Sequence, residues 1–193
     1  MRATKDTNLR IRNAILGILT IAAFIGCGLM ANAQELEAEP PPAPIAANAS
    51  FIDYDAFTAL ANEVAPYRAQ RLVSLIEFNE MKADPATIIL DSRSPGSFAM
   101  GHVEGAVNVN FSDFTDDKLA KMIPSKNTRI LIYCNNNFED NIDPVMLKRI
   151  DLALNVPTFI NLYGYGYTNV YELEGMHSIS DPEIHWVGDQ QMP

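Results

Sequence analysis

The chain of 193 residues contains two cysteines, Cys27 and Cys134. Only Cys134 stands where a folded domain could use a thiol. It closes the run Ile130-Leu131-Ile132-Tyr133, and Asn135, Asn136, Asn137, Phe138, Glu139 and Asp140 follow it. A thiolate is a nucleophile, and backbone amides at the start of a helix or in a tight loop stabilise it. Asparagine tolerates left-handed backbone, so Asn135 to Asn137 are suited to a tight loop. A lone cysteine in an exported chain points to a reactive thiol or an intermolecular bridge. The competing reading is an inert buried cysteine acting as a small hydrophobe. Count alone favours that second reading, and the position directly after a strand favours the first.

The elements needed to position Cys134 are legible around it. The run 130–133 is apolar and β-rich, as a buried strand requires. A helix over 143–154 is expected next, with Val145, Met146 and Ile150 on its apolar side and Asn155-Val156-Pro157 interrupting it. Thr158 to Tyr163 would add a turn or two. Earlier in the chain, 53–65 reads as a helix with Phe57, Leu60, Ala61 and Val64 on one side, and 71–73 as a short strand. Ser74-Leu75-Ile76-Glu77 fits a capping box opening a helix to about Lys82. Thr87 to Leu90 is a second buried strand, followed by a short helix carrying Phe98 and Met100. The segment 101–109 runs into a third strand, Asp116 to Ile123 is helical, and Asn169 to Leu173 forms the last strand. Gly164-Tyr165-Gly166-Tyr167 is a chain reversal with tyrosines on the core rim, and Trp186 a packing anchor. Strands alternating with helices give an α/β domain with a mostly parallel sheet, whose strand C-termini are where ligands bind.

Residues 1–33 read as a secretory signal peptide. Arg2, Lys5, Arg10 and Arg12 form the basic region, 14–25 the apolar one, and Ala31-Asn32-Ala33 the cleavage site. The alternative is lipidation at Cys27, since Phe24-Ile25-Gly26-Cys27 resembles a lipobox. Residues 34–50, rich in proline, alanine and glutamate, read as an extended spacer, leaving 51–193 as the domain. The whole chain carries a formal charge of −10 from 14 basic and 24 acidic residues. Cleavage after Ala33 removes four basic residues and one acid, leaving 10 and 23, or −13. Such a surface argues against nucleic acid and anionic membrane as partners. Membrane attachment is expected only if Cys27 is lipidated. Export places the protein in the periplasm.

The landmarks together resemble the rhodanese-like family. They are Leu90-Asp91-Ser92-Arg93, Phe98, Gly101-His102-Val103-Glu104-Gly105-Ala106-Val107-Asn108, Ile132-Tyr133-Cys134 and Gly166-Tyr167-Thr168-Asn169-Val170, in order across about 68–176. The resemblance implies a rhodanese-like α/β fold, its mostly parallel central sheet flanked by helices on both faces. It also implies sulfur transfer without a metal or other cofactor. Cys134 would take a sulfane sulfur and hold it as a persulfide. Residues 135–140 would cradle it with backbone amides, Asp91 and Arg93 would brace the strand ends, and His102 would fix its loop by a hydrogen bond.

The loop departs from the family pattern Cys-x-x-Gly-x-Arg. Asn137 holds the glycine position and Glu139 the arginine position. Glu139, Asp140 and Asp143 would oppose a thiolate and an anionic donor if they point inward. Thiosulfate is then a poor donor, and a neutral persulfide or a protein donor suffers less. Phosphatase and arsenate-reductase readings need an arginine where Asp140 stands, which disfavours both. Extra length falls near 151–164.

Two functions follow: a sulfurtransferase or persulfide carrier serving a small sulfur donor, a thiol acceptor or a protein partner, or a catalytically weak or inactive module that binds a partner or ligand. Metal binding through His177, Asp181 and His185 is a third class, weakened by Pro182; solvated tail histidines are the simpler reading. Cys134 is expected at the mouth of a pocket, with the loop amides outweighing the acids, so that the thiol reacts near neutral pH.

Overall fold

The structure, a computed structural model, describes residues 51–188. The expected leader, the lipobox cysteine and the spacer lie outside the described residues.

Five strands form one parallel sheet: β1 (Leu72–Val73), β2 (Ile88–Asp91), β4 (Ala106–Asn108), β5 (Ile130–Tyr133) and β6 (Val170–Leu173), in the order β1-β6-β5-β2-β4. The strand that ends at Cys134 is the middle one. It pairs Ile132 with Leu90 of β2 on one side and with Glu172 of β6 on the other. All four of its residues are buried, which explains why its sequence is continuously apolar rather than alternating. A separate antiparallel pair joins β3 (His102–Val103) to β7 (Trp186–Val187). Trp186 is the anchor expected from the sequence: its indole lies against Gly101, where an added Cβ would come within 2.6 Å of the ring.

The strand alternation sends side chains into two cores. Ile130 and Ile132 meet Val64 of α1 (Tyr54–Ala69), Leu119 of α4 (Asp116–Met122) and Phe159 of α5 (Asn155–Gly164). Leu131 and Tyr133 meet Phe78 of α2 (Leu75–Lys82), Phe138, Val145 and Ile184 on the opposite face. The sheet therefore has helices on both faces, as the resemblance implied. The remaining helix, α3 (Pro95–Met100), follows β2, and its N-terminus is capped by Ser94.

Most element boundaries fall close to expectation. The Ser74–Glu77 capping box opens α2 with both reciprocal bonds present. The helix read over 53–65 continues through Pro66 to Ala69; the carbonyl that Pro66 leaves unpaired belongs to exposed Asn62. Tyr167 is buried behind Gly166, whose φ of 86° makes the chain reversal.

One expectation fails. Residues 143–154 do not form an α-helix, only a 3-10 turn at Ile150–Leu152, and neither Met146 nor Ile150 is buried. Asparagine side chains take the backbone groups that a helix would use. Asn135 Nδ2 donates to Met146 O at 2.9 Å, and Asn136 Nδ2 donates to Lys148 O at 2.8 Å. Asn136 Oδ1 accepts from Lys148 N, and Asn141 Oδ1 from Leu147 N. This is the competition by which such side chains draw backbone out of helices. The helix instead begins at Asn155, the point taken as an interruption. Pro157 lies in its first turn, where the missing N–H costs nothing.

Candidate active site

Cys134 lies immediately beyond the C-terminal end of β5 and is 1% exposed. It precedes a single 3-10 turn, Asn135–Asn137. Its sulfur faces the backbone amides of Asn155, Asn136 and Leu154, which favour its anion. Two of these three belong to the start of α5, twenty residues downstream. Leu154 occupies the N-cap position and offers no side-chain cap. A helix start leaves its first amides without intrahelical partners, and here the thiol takes that place. The expectation of a thiol facing a helix N-terminus holds, but the helix is a different one.

The loop itself contributes less than expected. Asn137 N donates to Cys134 O at 3.1 Å, Phe138 N to Asn135 O at 3.0 Å, and Glu139 N to His177 O at 3.0 Å. Phe138 N and Glu139 N are spent on carbonyls, so 135–140 is not a continuous amide cradle. Asn136 N faces the sulfur, and Asn137 N reaches the Cys134 side chain in a reciprocal capping box. Phe138 is buried in the second core and pairs by backbone with His177. None of the three asparagines uses the left-handed conformation; Asn141 does, with φ 50°.

The two loop acids also turn out differently. Glu139 is exposed. Asp140 accepts from Ile179 N at 2.8 Å and from Ser178 Oγ at 3.1 Å. The carboxylate that acts on Cys134 is Glu172, buried on β6. Arg68, at the end of α1, grips it with Nε on Oε2 at 2.6 Å and Nη2 on Oε1. Burial pushes the Cys134 thiol above its ordinary range, and the three amides pull it down while Glu172 pushes it further up. Burial prevails. The expectation that the amides win, leaving a thiol reactive near neutral pH, is therefore corrected.

Asn137, which replaces the family glycine, ties this site together. Its Oδ1 accepts from Cys134 N and from Asn155 Nδ2, each at 2.9 Å, and its Nδ2 donates to Leu173 O at 2.8 Å. Asn155 Nδ2 also reaches Glu172 Oε1 at 3.2 Å. Cys134, Asn136, Asn137, Asn155 and Glu172 line one open pocket of about 300 Å³, with Arg68, Glu174 and Met176 at its wall.

Asp91 and Arg93 brace the strand ends, one strand away from the sulfur. Tyr133 Oη donates to Asp91 Oδ2 at 2.6 Å, and Arg93 Nη2 donates to the same oxygen at 2.6 Å. Arg93 also holds Gly101 O and Pro144 O. Ser92 between them reaches Thr158 Oγ1 at 2.8 Å, pinning α5 to β2. His102 stacks on Phe98, its Nδ1 at 2.9 Å from Phe98 O, in keeping with a structural role. His177, Asp181 and His185 do not converge: among the described residues, no group of three or more His, Cys, Asp or Glu could hold a metal. His177 Nε2 contacts Glu174 O, and Asp181 caps a 3-10 turn by accepting from Glu183 N.

Arg68, Asn155, Glu172 and the Ser92–Thr158 pair were not singled out from the sequence. Glu172 carried a signal: an acid inside the strand Val170-Tyr171-Glu172-Leu173 needs a partner if buried. The others carried none.

A family model described as Rhodanese-like domain matches residues 74–176. The tRNA uridine(34) hydroxylase of Prochlorococcus marinus is 28% identical over 125 residues, covering 58% of this chain and 36% of the relative. The thiosulfate sulfurtransferase PspE of Escherichia coli is 24% identical over 95 residues, covering 49% of this chain and 76% of PspE. The chain thus spans little more than a third of the length of that hydroxylase. Among solved structures, the rhodanese-like domain of the Anabaena Alr3790 protein superposes with a TM-score of 0.43 at 18% identity, covering 64% of this chain and 84% of that one. The human single-domain sulfurtransferase TSTD1 gives 0.40 at 17% identity, covering 55% and 91%.

Proposed function

The chain belongs to the rhodanese-like domain family, and from that premise we propose that Cys134 is a sulfur-carrying nucleophile. The observation that carries the reading is the Cys134 sulfur facing backbone amides of Asn136 and of the start of α5 at the wall of an open pocket. The Cys134 thiolate attacks the outer sulfur of a donor R–S–SH. A new S–S bond forms at Cys134, the donor's S–S bond breaks, and RS⁻ leaves and takes up a proton. A thiol acceptor later removes the outer sulfur by the reverse exchange. The amides stabilise the sulfur anion in each direction. No metal or other cofactor enters this scheme. Residues 1–33 are proposed as the export leader, with Cys27 lipidation as the other route, so that the carrier works outside the cytoplasm.

The second reading, a binding module without chemistry, is favoured by one observation: the thiol is buried beside a carboxylate that disfavours its anion. Peptide-resolved mass spectrometry separates the two. After exposure to glutathione persulfide the Cys134 peptide should gain one sulfur atom, and thiosulfate should load it far less. Cys134→Ser should gain none. If neither donor loads Cys134, the binding-module reading replaces the carrier.

A further inference from the structure

We propose that the Cys134 pocket selects sulfur compounds carrying a protonated amine, such as aminothiols and their persulfides or disulfides, over anionic ones. As a statement about the physiological substrate this rests on the carrier reading above, but the charge preference of the pocket can be measured without it.

Among the side chains of the pocket wall, acceptors outnumber spare donors. The amides of Asn136, Leu154 and Asn155 are committed to the sulfur. Asn137 Nδ2 is committed to the carbonyls of Leu173 and Gly175. The cation at the wall, Arg68, is matched by Glu172 through two of its nitrogens. Glu174, exposed at the rim, adds a second carboxylate and enters none of the ion pairs among the described residues. The pocket wall thus carries one cation against two anions.

An independent observation points the same way. Asn155 lines this pocket and is 3% exposed; its Oδ1, closed to solvent in this packing, has no hydrogen-bond partner, so a ligand would meet it only as the wall opens. The amide cannot be turned around to remedy this. Its Nδ2 donates to Asn137 Oδ1 and to Glu172 Oε1, and a flip would set oxygen against both. Asn137 is itself oriented by the backbone, since it donates to two carbonyls and accepts from Cys134 N. A buried acceptor left unpaired is costly. An ammonium brings three donors and no acceptor, whereas thiosulfate or a carboxylate brings only acceptors. A short carbon spacer sets the ammonium of an aminothiol beside its sulfur. Met176 at the wall offers apolar cover to that spacer.

The test uses three symmetrical disulfides on the reduced full-length protein: cystamine (cationic), bis(hydroxyethyl) disulfide (neutral) and dithiodipropionate (anionic). In each case the Cys134 thiolate attacks one sulfur, the disulfide bond breaks, and one thiolate leaves. The mixed disulfide is quantified on the Cys134 peptide, and each rate is divided by the rate of the same disulfide with mercaptoethanol. At low salt the corrected cystamine rate should exceed the dithiodipropionate rate by about tenfold or more. Glu174→Gln should cut that ratio by about two- to threefold. Glu172→Gln, which leaves Arg68 unmatched, should bring the ratio below one. Asp117→Asn, on α4 and no part of the pocket wall, should leave it unchanged. A wild-type ratio of one or less overturns the proposal. So does an equal loss from Asp117→Asn and Glu174→Gln, which would trace the preference to overall surface charge. Should Glu172→Gln fail to fold by circular dichroism, the exposed Glu174 still decides the matter. A charge preference without persulfide loading sinks the carrier reading and upholds the pocket; loading without a charge preference does the reverse.

Discussion

Replacing Asn137 with alanine isolates the side chain that binds the Cys134 turn to its surroundings. Four hydrogen bonds vanish, to Cys134 N, Asn155 Nδ2, Leu173 O and Gly175 O. They do not count equally. Gly175 is exposed, so its carbonyl takes a water, and Asn155 Nδ2 keeps Glu172. Cys134 N and Leu173 O lie in buried residues and lose this partner. At about 1–3 kcal/mol for each orphaned group, the expected loss is about 3 kcal/mol. Glycine, the residue the family places here, should cost about a further 0.5–1 kcal/mol through backbone entropy. Urea unfolding reads this as a lower midpoint at unchanged slope. A second readout is local: a thiol reagent should label Cys134 at least about tenfold faster in native buffer, because the turn opens more often. A loss below about 1 kcal/mol with unchanged labelling would refute the argument that Asn137 holds the turn closed.

Three further outcomes follow from the site. The folded protein favours the neutral Cys134 thiol, so this contribution to stability is complete below the unfolded thiol value of about 8.5 and is lost as pH rises through the higher folded value. Tyr133, also raised by burial and Asp91, adds a loss in the same direction at higher pH. The urea midpoint should therefore fall on the alkaline side, and Cys134→Ser should remove the earlier part of that fall. Glu139→Arg should leave thiosulfate loading of Cys134 essentially unchanged, because that position is exposed and its amide is paired with His177 rather than with the sulfur; a clear rise would return Glu139 to the site. Asp91→Asn leaves the Arg93 guanidinium buried without its counter-charge and should cost about 3–5 kcal/mol by urea unfolding.

The parallel sheet and the position of Cys134 were legible because they rest on local signals. The run Ile130 to Tyr133 is buried on both faces, and the capping box at Ser74 closes within four residues. The route of the chain after Cys134 was not legible, because it depends on side-chain to backbone bonds across eleven or twelve positions, from Asn135 to Met146 and from Asn136 to Lys148. Apolar spacing at Val145, Met146 and Ile150 imitated a helix face, yet only Val145 is buried. Pro157 has the look of a breaker, although it lies two residues after the start of α5, where a proline is tolerated. The electrostatics of the thiol were misassigned for a related reason: the neighbouring acids in sequence point elsewhere, and the acid that matters arrives from β6 with an arginine from α1.

That arginine lies outside the segment by which the family is recognised, residues 74–176. Homology and a working thiol environment therefore have different borders in this protein. A chain excised at the homologous borders would lose α1 and β1, and with them Arg68. Glu172 would stay behind beside the sulfur with its charge unanswered by Arg68. β6 would become an open edge, a template for pairing between copies. At the other terminus the cut would take Trp186 from its seat on Gly101. Such a fragment would retain every motif residue, yet present a thiol in an altered field on a sheet inclined to self-associate. The electrostatic surroundings of Cys134 are a property of the longer unit, in which α1 is as much a part of them as the loop that follows the cysteine.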